Sequence, residues 1–322
     1  MNRRTALSAL LAGLSLLLAA CAAPPKPNEI ETRIQVVATT GMLGDTISEI
    51  GGDLVRVDTL MGPGLDPHQY SATEGDVRKI TEADLIVYNG LHLEAQMAQV
   101  FEKMSSSGKT TLEATKDIPR DKLIKLDEAG TNYDPHVWMD VALWTEVSRT
   151  ITKALIEQRP DKEETLRTNL EYYEGKLRML DQNIRIAVES IPEERRVLIT
   201  AHDAFAYYGR AYGIDVRGLQ GVSTASEAGA RDVQELANLI VEKKIPAIFV
   251  ETSVPRRHVE ALQEAVKAKG HQVRIGRPLY SDSIGDYGTA LASYVGMMRF
   301  NAGIIADELG LTEDEKKAQA NQ

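Results

Sequence analysis

The stretch from Pro160 to Ser190 constrains this chain more than any other part of it. After its first residue it contains no proline, and only Gly175 weakens it as a helix. Apolar residues fall at Leu166, Leu170, Tyr173, Leu177, Leu180, Ile184 and Ala187, alternating steps of four and three. That spacing predicts one amphipathic helix with a single apolar seam. Pro160 suits a first helical turn, and Ile191-Pro192 ends the run. About 30 residues at 1.5 Å each give a rod of about 45 Å, enough to run the height of two lobes. A coiled-coil arm of a dimer is the competing use of such a helix. As a connector, it implies lobes that tilt slightly on a stiff hinge.

The sequence on either side fits that plan. Short β-rich runs occur at Ile34–Thr39, Leu54–Met61 and Leu85–Tyr88, then at Val197–Thr200, Val216–Leu219, Ala247–Glu251 and Gln272–Ile275. Helical patterns separate them at Thr46–Ile50, Val77–Ala83, Leu93–Met104, Val233–Lys243 and Val259–Lys269. This alternation predicts an α/β fold of two (β/α) lobes with parallel sheets. The expected boundaries are residues 31–159 for the first lobe, 160–191 for the linking helix and 192–322 for the second lobe. With 322 residues, 43% of them hydrophobic, each lobe can bury its own core. The net charge of −10 argues against a nucleic-acid partner.

The first residues read as a targeting segment. Arg3 and Arg4 precede an uncharged, mostly apolar run from Thr5 to Ala20, cut off by Pro24, Pro25 and Pro27. It is short for a membrane span and suits a signal peptide over residues 1–20. It ends Leu18-Ala19-Ala20-Cys21, which resembles a bacterial lipobox, and Cys21 is the only cysteine in the chain. Lipidation at Cys21 would hold the protein on a membrane surface through a Pro-rich tether over residues 21–30. One cysteine excludes a disulfide framework and a cysteine-built zinc finger.

Four side chains stand out as metal ligands. Asp-Pro-His occurs twice, as Asp66-Pro67-His68 and Asp134-Pro135-His136. Each proline fixes its own φ and removes a donor, so each histidine leaves a restrained turn. His202 follows the strand ending at Thr200, and Asp282 lies beyond the strand ending at Ile275. In open α/β sheets ligands bind beyond the carboxyl ends of strands. Two candidates from each half would let one ion bridge the lobes. Three imidazoles and one carboxylate suit Zn²⁺, Mn²⁺ or, less well, Fe²⁺, and lack the many oxygens that Ca²⁺ prefers. Asp66, Asp134, Asp140 and Glu251 are candidates to orient the imidazoles. Asp286 competes with Asp282, while His92, His258 and His271 read as structural or surface residues.

The lipobox, both Asp-Pro-His segments, Ala201-His202-Asp203-Ala204-Phe205, Tyr280-Ser281-Asp282 and Tyr88-Asn89-Gly90-Leu91 together resemble the metal-binding lipoproteins of zinc/manganese ABC importers, the TroA-like solute-binding proteins of family 9. The resemblance spans essentially the whole mature chain. It implies one ion held between two lobes by His68, His136, His202 and Asp282. It also implies delivery to an integral-membrane permease driven by a cytoplasmic ATPase, from a lipid-anchored position outside the cytoplasm of a bacterial cell. Manganese-type relatives often carry Glu where this chain has His202. Zinc-type relatives often have a His-rich loop, and a chain with six histidines in all has none. A metallohydrolase is the first rival, but the chain lacks a His-Glu-x-x-His helix and a Gly-x-Ser-x-Gly elbow. An envelope adhesin or siderophore-binding relative is the second.

Overall fold

The computed structural model describes residues 33–310. The signal segment, Cys21 and the tether therefore lie outside the described residues.

The first half alternates strand and helix: β1 (Ile34–Ala38), α1 (Gly41–Gly51), β2 (Val55–Thr59), α2 (Glu74–Glu82), β3 (Leu85–Tyr88), α3 (Ala98–Ser106) and β4 (Thr110–Glu113). All pairings within its four-stranded sheet are parallel, and the sheet order is β2-β1-β3-β4. Parallel neighbours require crossover connections, which the helices provide. Two helices follow, α4 (Val141–Gln158) and α5 (Glu163–Glu189).

The second half contains β5 (Val197–His202), α6 (Ala206–Tyr212), β6 (Asp215–Gln220), α7 (Ala230–Lys243), β7 (Ala247–Ile248), α8 (Arg257–Ala268), β8 (Arg274–Ile275) and α9 (Tyr294–Leu309). β5 pairs in parallel with β6, and β7 with β8. The Phe249 N–H donates to Ile199 O at 2.8 Å and lays the end of β7 beside β5. The second half thus holds two two-stranded parallel sheets, β6-β5 and β7-β8, laid side by side by this contact.

The linking helix is shorter than its sequence pattern. Pro160–Lys162 forms a separate 3₁₀ turn, and α5 begins at Glu163. Its 27 residues make a rod of about 40 Å. Leu166, Tyr173, Leu177, Leu180, Ile184 and Val188 are buried along one seam, while Leu170 and Ala187 pack at its margin. That seam faces α1, α4 and α9. It belongs to an apolar core that runs from Ile34 in β1 to Leu309 in α9. Buried hydrogen bonds fix the packing: Trp144 Nε1 donates to Thr46 Oγ1 at 3.0 Å, and Thr46 Oγ1 lies 3.1 Å from the Tyr173 hydroxyl.

Several elements differ from their sequence patterns. α1 starts at Gly41, ahead of the apolar pattern, because the Thr40 side chain caps it. The pattern at Leu93–Met104 becomes a 3₁₀ turn and a late helix, because Leu91 and His92 both adopt positive φ (52° and 65°). Of the strand pattern at Ala247–Glu251 only Ala247–Ile248 forms a strand, with Phe249 bonded to β5 and Glu251 in an isolated bridge to Leu279. α6 begins only at Ala206, since the backbone turns sharply after His202.

Candidate metal centre

Both Asp-Pro-His tripeptides fold into the same local turn. The His68 N–H donates to Asp66 Oδ1, and the His136 N–H to Asp134 Oδ1, each at 2.9 Å. The intervening proline has no N–H, so the aspartate side chain captures the next available donor. His68 follows β2 through Gly62-Pro63-Gly64, where Gly64 takes φ +75°. His136 leads into a 3₁₀ turn at Val137–Met139 and then α4.

His202 is the last residue of β5, paired with Gln220 of β6. The chain reverses immediately after it. A Cβ at Gly218 would lie 2.4 Å from the Asp203 nitrogen, so the close approach of β6 to that reversal requires a residue without a side chain. Asp282 lies in the loop after β8. Asn301 of α9 clamps that loop, accepting from Tyr280 N at 3.0 Å and donating to Tyr280 O at 2.6 Å. Trp138 Nε1 donates to Ser281 O at 2.8 Å.

These elements bring all four sequence candidates together. One ligand atom from each of His68, His136, His202 and Asp282 lies within 4.8 Å of the other three. His202 Nε2 is 3.2 Å from Asp282 Oδ2, His136 Nε2 is 3.5 Å from Oδ1, and His68 Nε2 is 3.8 Å from Oδ2. His68 Nε2 and His136 Nε2 are 3.2 Å apart. Donors about 2.1 Å from a central ion at tetrahedral angles would stand about 3.4 Å apart. His136 and His202 are 0% exposed, Asp282 2% and His68 5%.

The surroundings set the tautomers. Asp134 Oδ1 lies 2.7 Å from His136 Nδ1, and Glu251 Oε2 lies 2.6 Å from His202 Nδ1. With a cation at the centre, a proton on each Nδ1 faces a carboxylate and each Nε2 presents its lone pair to the ion. Both oxygens of Asp282 are buried and accept no hydrogen bond from the described residues. A carboxylate and converging nitrogen lone pairs repel one another unless a cation sits between them.

The protonation balance is uneven. Burial pushes His68 down to about 4, against the opposing pull of Asp282. Burial also opposes charge on His202, but Glu251 and Asp282 outweigh it and raise its pKa well above the ordinary value. Burial would raise Asp282, yet His202 and the other two imidazoles hold it far below the usual carboxylate range.

The remaining candidates sit elsewhere. Asp66 bonds the His68 backbone and no ring nitrogen. Asp140 caps α4 through Ala142 N and Leu143 N, and lies 3.7 Å from Arg210, so it orients no imidazole of the cluster. Asp286 and His92 are exposed, His258 lies within α8, and His271 is half-buried just beyond that helix.

The sequence patterns did not single out the support around the His136 turn. Asn89 Nδ2 donates to Pro135 O at 3.1 Å, and the Tyr207 hydroxyl donates to Asp134 O at 2.9 Å. Buried Glu94 accepts from Thr39 Oγ1, Asn89 N and Gly90 N, and burial raises its pKa. The polar Asn89 and Glu94 beside the apolar run of β3 were the available signal.

The family model described as ZnuA, zinc-uptake complex component A, periplasmic, matches residues 36–308. The chain is 48% identical over 274 residues to the zinc-binding protein TroA of Treponema pallidum, covering 85% of this chain and 88% of that one. It is 42% identical over 306 residues to the manganese-binding lipoprotein MntA of Bacillus subtilis, covering 95% and 99%. The solved structure of the periplasmic zinc-binding protein TroA from T. pallidum superposes with a TM-score of 0.84 at 46% identity, over 87% of this chain and all of that one. The parallel sheets, the long helix and the His₃Asp cluster thus coincide with matches over nearly the whole described chain: it belongs to the ZnuA family of metal-binding proteins.

Proposed function

We propose that this chain is an extracytoplasmic solute-binding lipoprotein. It captures one Zn²⁺ or Mn²⁺ ion with His68, His136, His202 and Asp282 and passes it to an ABC permease powered by a cytoplasmic ATPase. The relatives named for zinc and manganese binding support the cargo, and the matching family model, a component of a zinc-uptake complex, supports the transport role. Lipidation at Cys21 would keep the protein at the membrane, and residues 31–159 and 192–322 would form the lobes on either side of the ion.

One observation carries the reading: the two oxygens of Asp282, buried and without donors, face three imidazole Nε2 atoms at 3.2–3.8 Å. Four protein ligands with one formal negative charge partly neutralise a divalent ion. They also fill the position that a catalytic zinc keeps open for water, which favours capture over hydrolysis. Nitrogen-rich coordination favours Zn²⁺ over Mn²⁺ by the usual affinity order. If both Asp282 oxygens bind, the same residues offer a fifth donor, which accommodates the higher coordination of Mn²⁺.

Calorimetric titration of the metal-free protein with Zn²⁺ and with Mn²⁺ tests this. One site per chain is expected, with binding weakened at least about a hundredfold in both His136→Ala and Asp282→Ala. Unchanged binding in both variants would refute the ligand assignment.

A further inference from the structure

The four ligands are not held equally. His136 and His202 each have a carboxylate at Nδ1, and the Asp282 loop is clamped by Asn301 and Trp138. Among the described residues no hydrogen bond reaches His68 Nδ1. His68 is also the only one of the three histidines with any exposure. Its position depends on the loop that carries it, Gly62 to Tyr70, and that loop is tied to the second half of the chain by a few polar contacts.

The strongest tie is Thr224, in the loop between β6 and α7. Its hydroxyl donates to Asp66 Oδ2 at 2.6 Å, while Oδ1 of the same carboxylate holds the His68 N–H. Gln69 Nε2 reaches Asp66 Oδ2 at 2.9 Å and Thr224 Oγ1 at 3.3 Å. A second tie lies at the turn, where Gly64 N donates to Ser283 Oγ at 3.1 Å, next to Asp282. Thr224 is 7% exposed and Asp66 half-buried, so their hydrogen bond is sheltered from competing water. The first Asp-Pro-His thus uses its aspartate differently from the second. Asp134 turns its carboxylate to its own histidine ring, whereas Asp66 turns it across to Thr224.

We infer that Thr224 is a positioning residue that sets how fast the ion enters and leaves. It acts through Asp66 on His68, which is the ligand that detaches first. The inference rests on the proposed metal-binding function. To release His68 the loop must move away from β6, and the Thr224–Asp66 bond must break for that to happen. The other three ligands can keep their places during the exchange. Losing this one charge-assisted bond should speed release about tenfold. Because the barred and unbarred loop serve both directions, entry should speed up too, and equilibrium affinity should change less than either rate.

The test loads full-length protein with Zn²⁺ and follows release into excess pyridylazo-resorcinol by absorbance. Thr224→Val, which keeps the side-chain shape and loses the hydroxyl, should release Zn²⁺ about tenfold faster. Thr224→Ser should stay within about twofold of the parent protein, since it restores the donor. Asp66→Ala should also accelerate release, and Asp66→Ala/Thr224→Val should be no faster than Asp66→Ala alone. The exposed Gln69→Ala gives a milder acceleration and provides a reading if the Thr224 variant folds poorly. Release from Thr224→Val within twofold of the parent overturns the inference, as do Asp66 and Thr224 effects that simply multiply. In either case the proposed function stands, because the parent still retains zinc. A parent protein that retains no Zn²⁺ overturns both.

Discussion

Glu251 holds His202 at two points: Oε1 accepts the His202 backbone N–H at 2.9 Å, and Oε2 lies 2.6 Å from the ring Nδ1. One carboxylate therefore fixes both the end of β5 and the orientation of the imidazole. Glu251 itself is placed by the bridge to Leu279, three residues before Asp282. Glu251→Gln keeps the shape but loses the charge that faces Nδ1. Zn²⁺ affinity measured by chelator competition should fall about ten- to a hundredfold, with the far-UV circular dichroism unchanged.

Binding should strengthen with pH across the neutral range. Glu251 and Asp282 raise the pKa of His202, so the metal-free protein carries a proton there that the ion must displace. Below that pKa the proton competes, and affinity drops about tenfold per pH unit for one displaced proton. Burial keeps His68 neutral down to about pH 4, so a second competing proton appears only near that value. Metal competition in buffers from pH 5.5 to 8 measures the slope. A flat profile would contradict a site built on His202.

Stability should show a separate pH effect at Asp45, remote in sequence from the four ligands. Burial lifts its carboxyl to about 6, against the Tyr294 N–H that it accepts at 2.9 Å. A carboxyl raised in the folded state binds its proton more tightly there than in the unfolded chain. Its ionisation therefore costs nothing below the unfolded value of 3.8. The cost grows from there to about 6 and is constant above, at about 1–3 kcal/mol. Asparagine can still accept from Tyr294. Asp45→Asn should melt a few degrees higher than the parent at pH 8, with the gap closing at pH 4, by differential scanning calorimetry.

Gly175 weakens α5 for no steric reason. A Cβ there would meet nothing closer than Arg178 Nη2 at 3.7 Å. Gly175→Ala should stabilise the protein by about 0.5–1 kcal/mol, read as a higher urea midpoint with an unchanged slope. Zinc affinity should not move.

What could be read in the sequence was local or periodic. Each Asp-Pro-His announces its turn in three adjacent residues, and α5 announces its buried seam by spacing. His202 and Asp282 were found because strand ends are where such folds bind ligands. Other features left no such trace. α9 buries Tyr294, Met297, Met298, Asn301, Ala302, Ile304, Ile305 and Leu309 on one face, but Val295, Phe300 and Ala306 spread apolar residues beyond it and blur the stripe. β4 is the short polar run Thr110–Glu113, made a strand by its neighbour β3 rather than by its own pattern. The contact between Asp66 and Thr224 joins residues 158 positions apart, and nothing in a Ser/Thr-rich loop marks which hydroxyl will make it. Asp140, a candidate to orient an imidazole, instead caps α4, a use its sequence context also allows.

The buried seam of α5 has a mechanical consequence. Swinging the two halves far apart would draw Leu166, Tyr173, Leu177, Leu180, Ile184 and Val188 away from partners in α1, α4 and α9. Exposing even one such side chain costs about 1.5–3 kcal/mol, so a wide opening would consume much of the free energy that keeps the molecule folded. Cargo exchange on this scaffold must then rely on short segments near the ion while the spine stays straight. A docking membrane protein would meet nearly the same outline whether the cage is full or empty, and would have to tell the two apart by small differences in the loops at its rim.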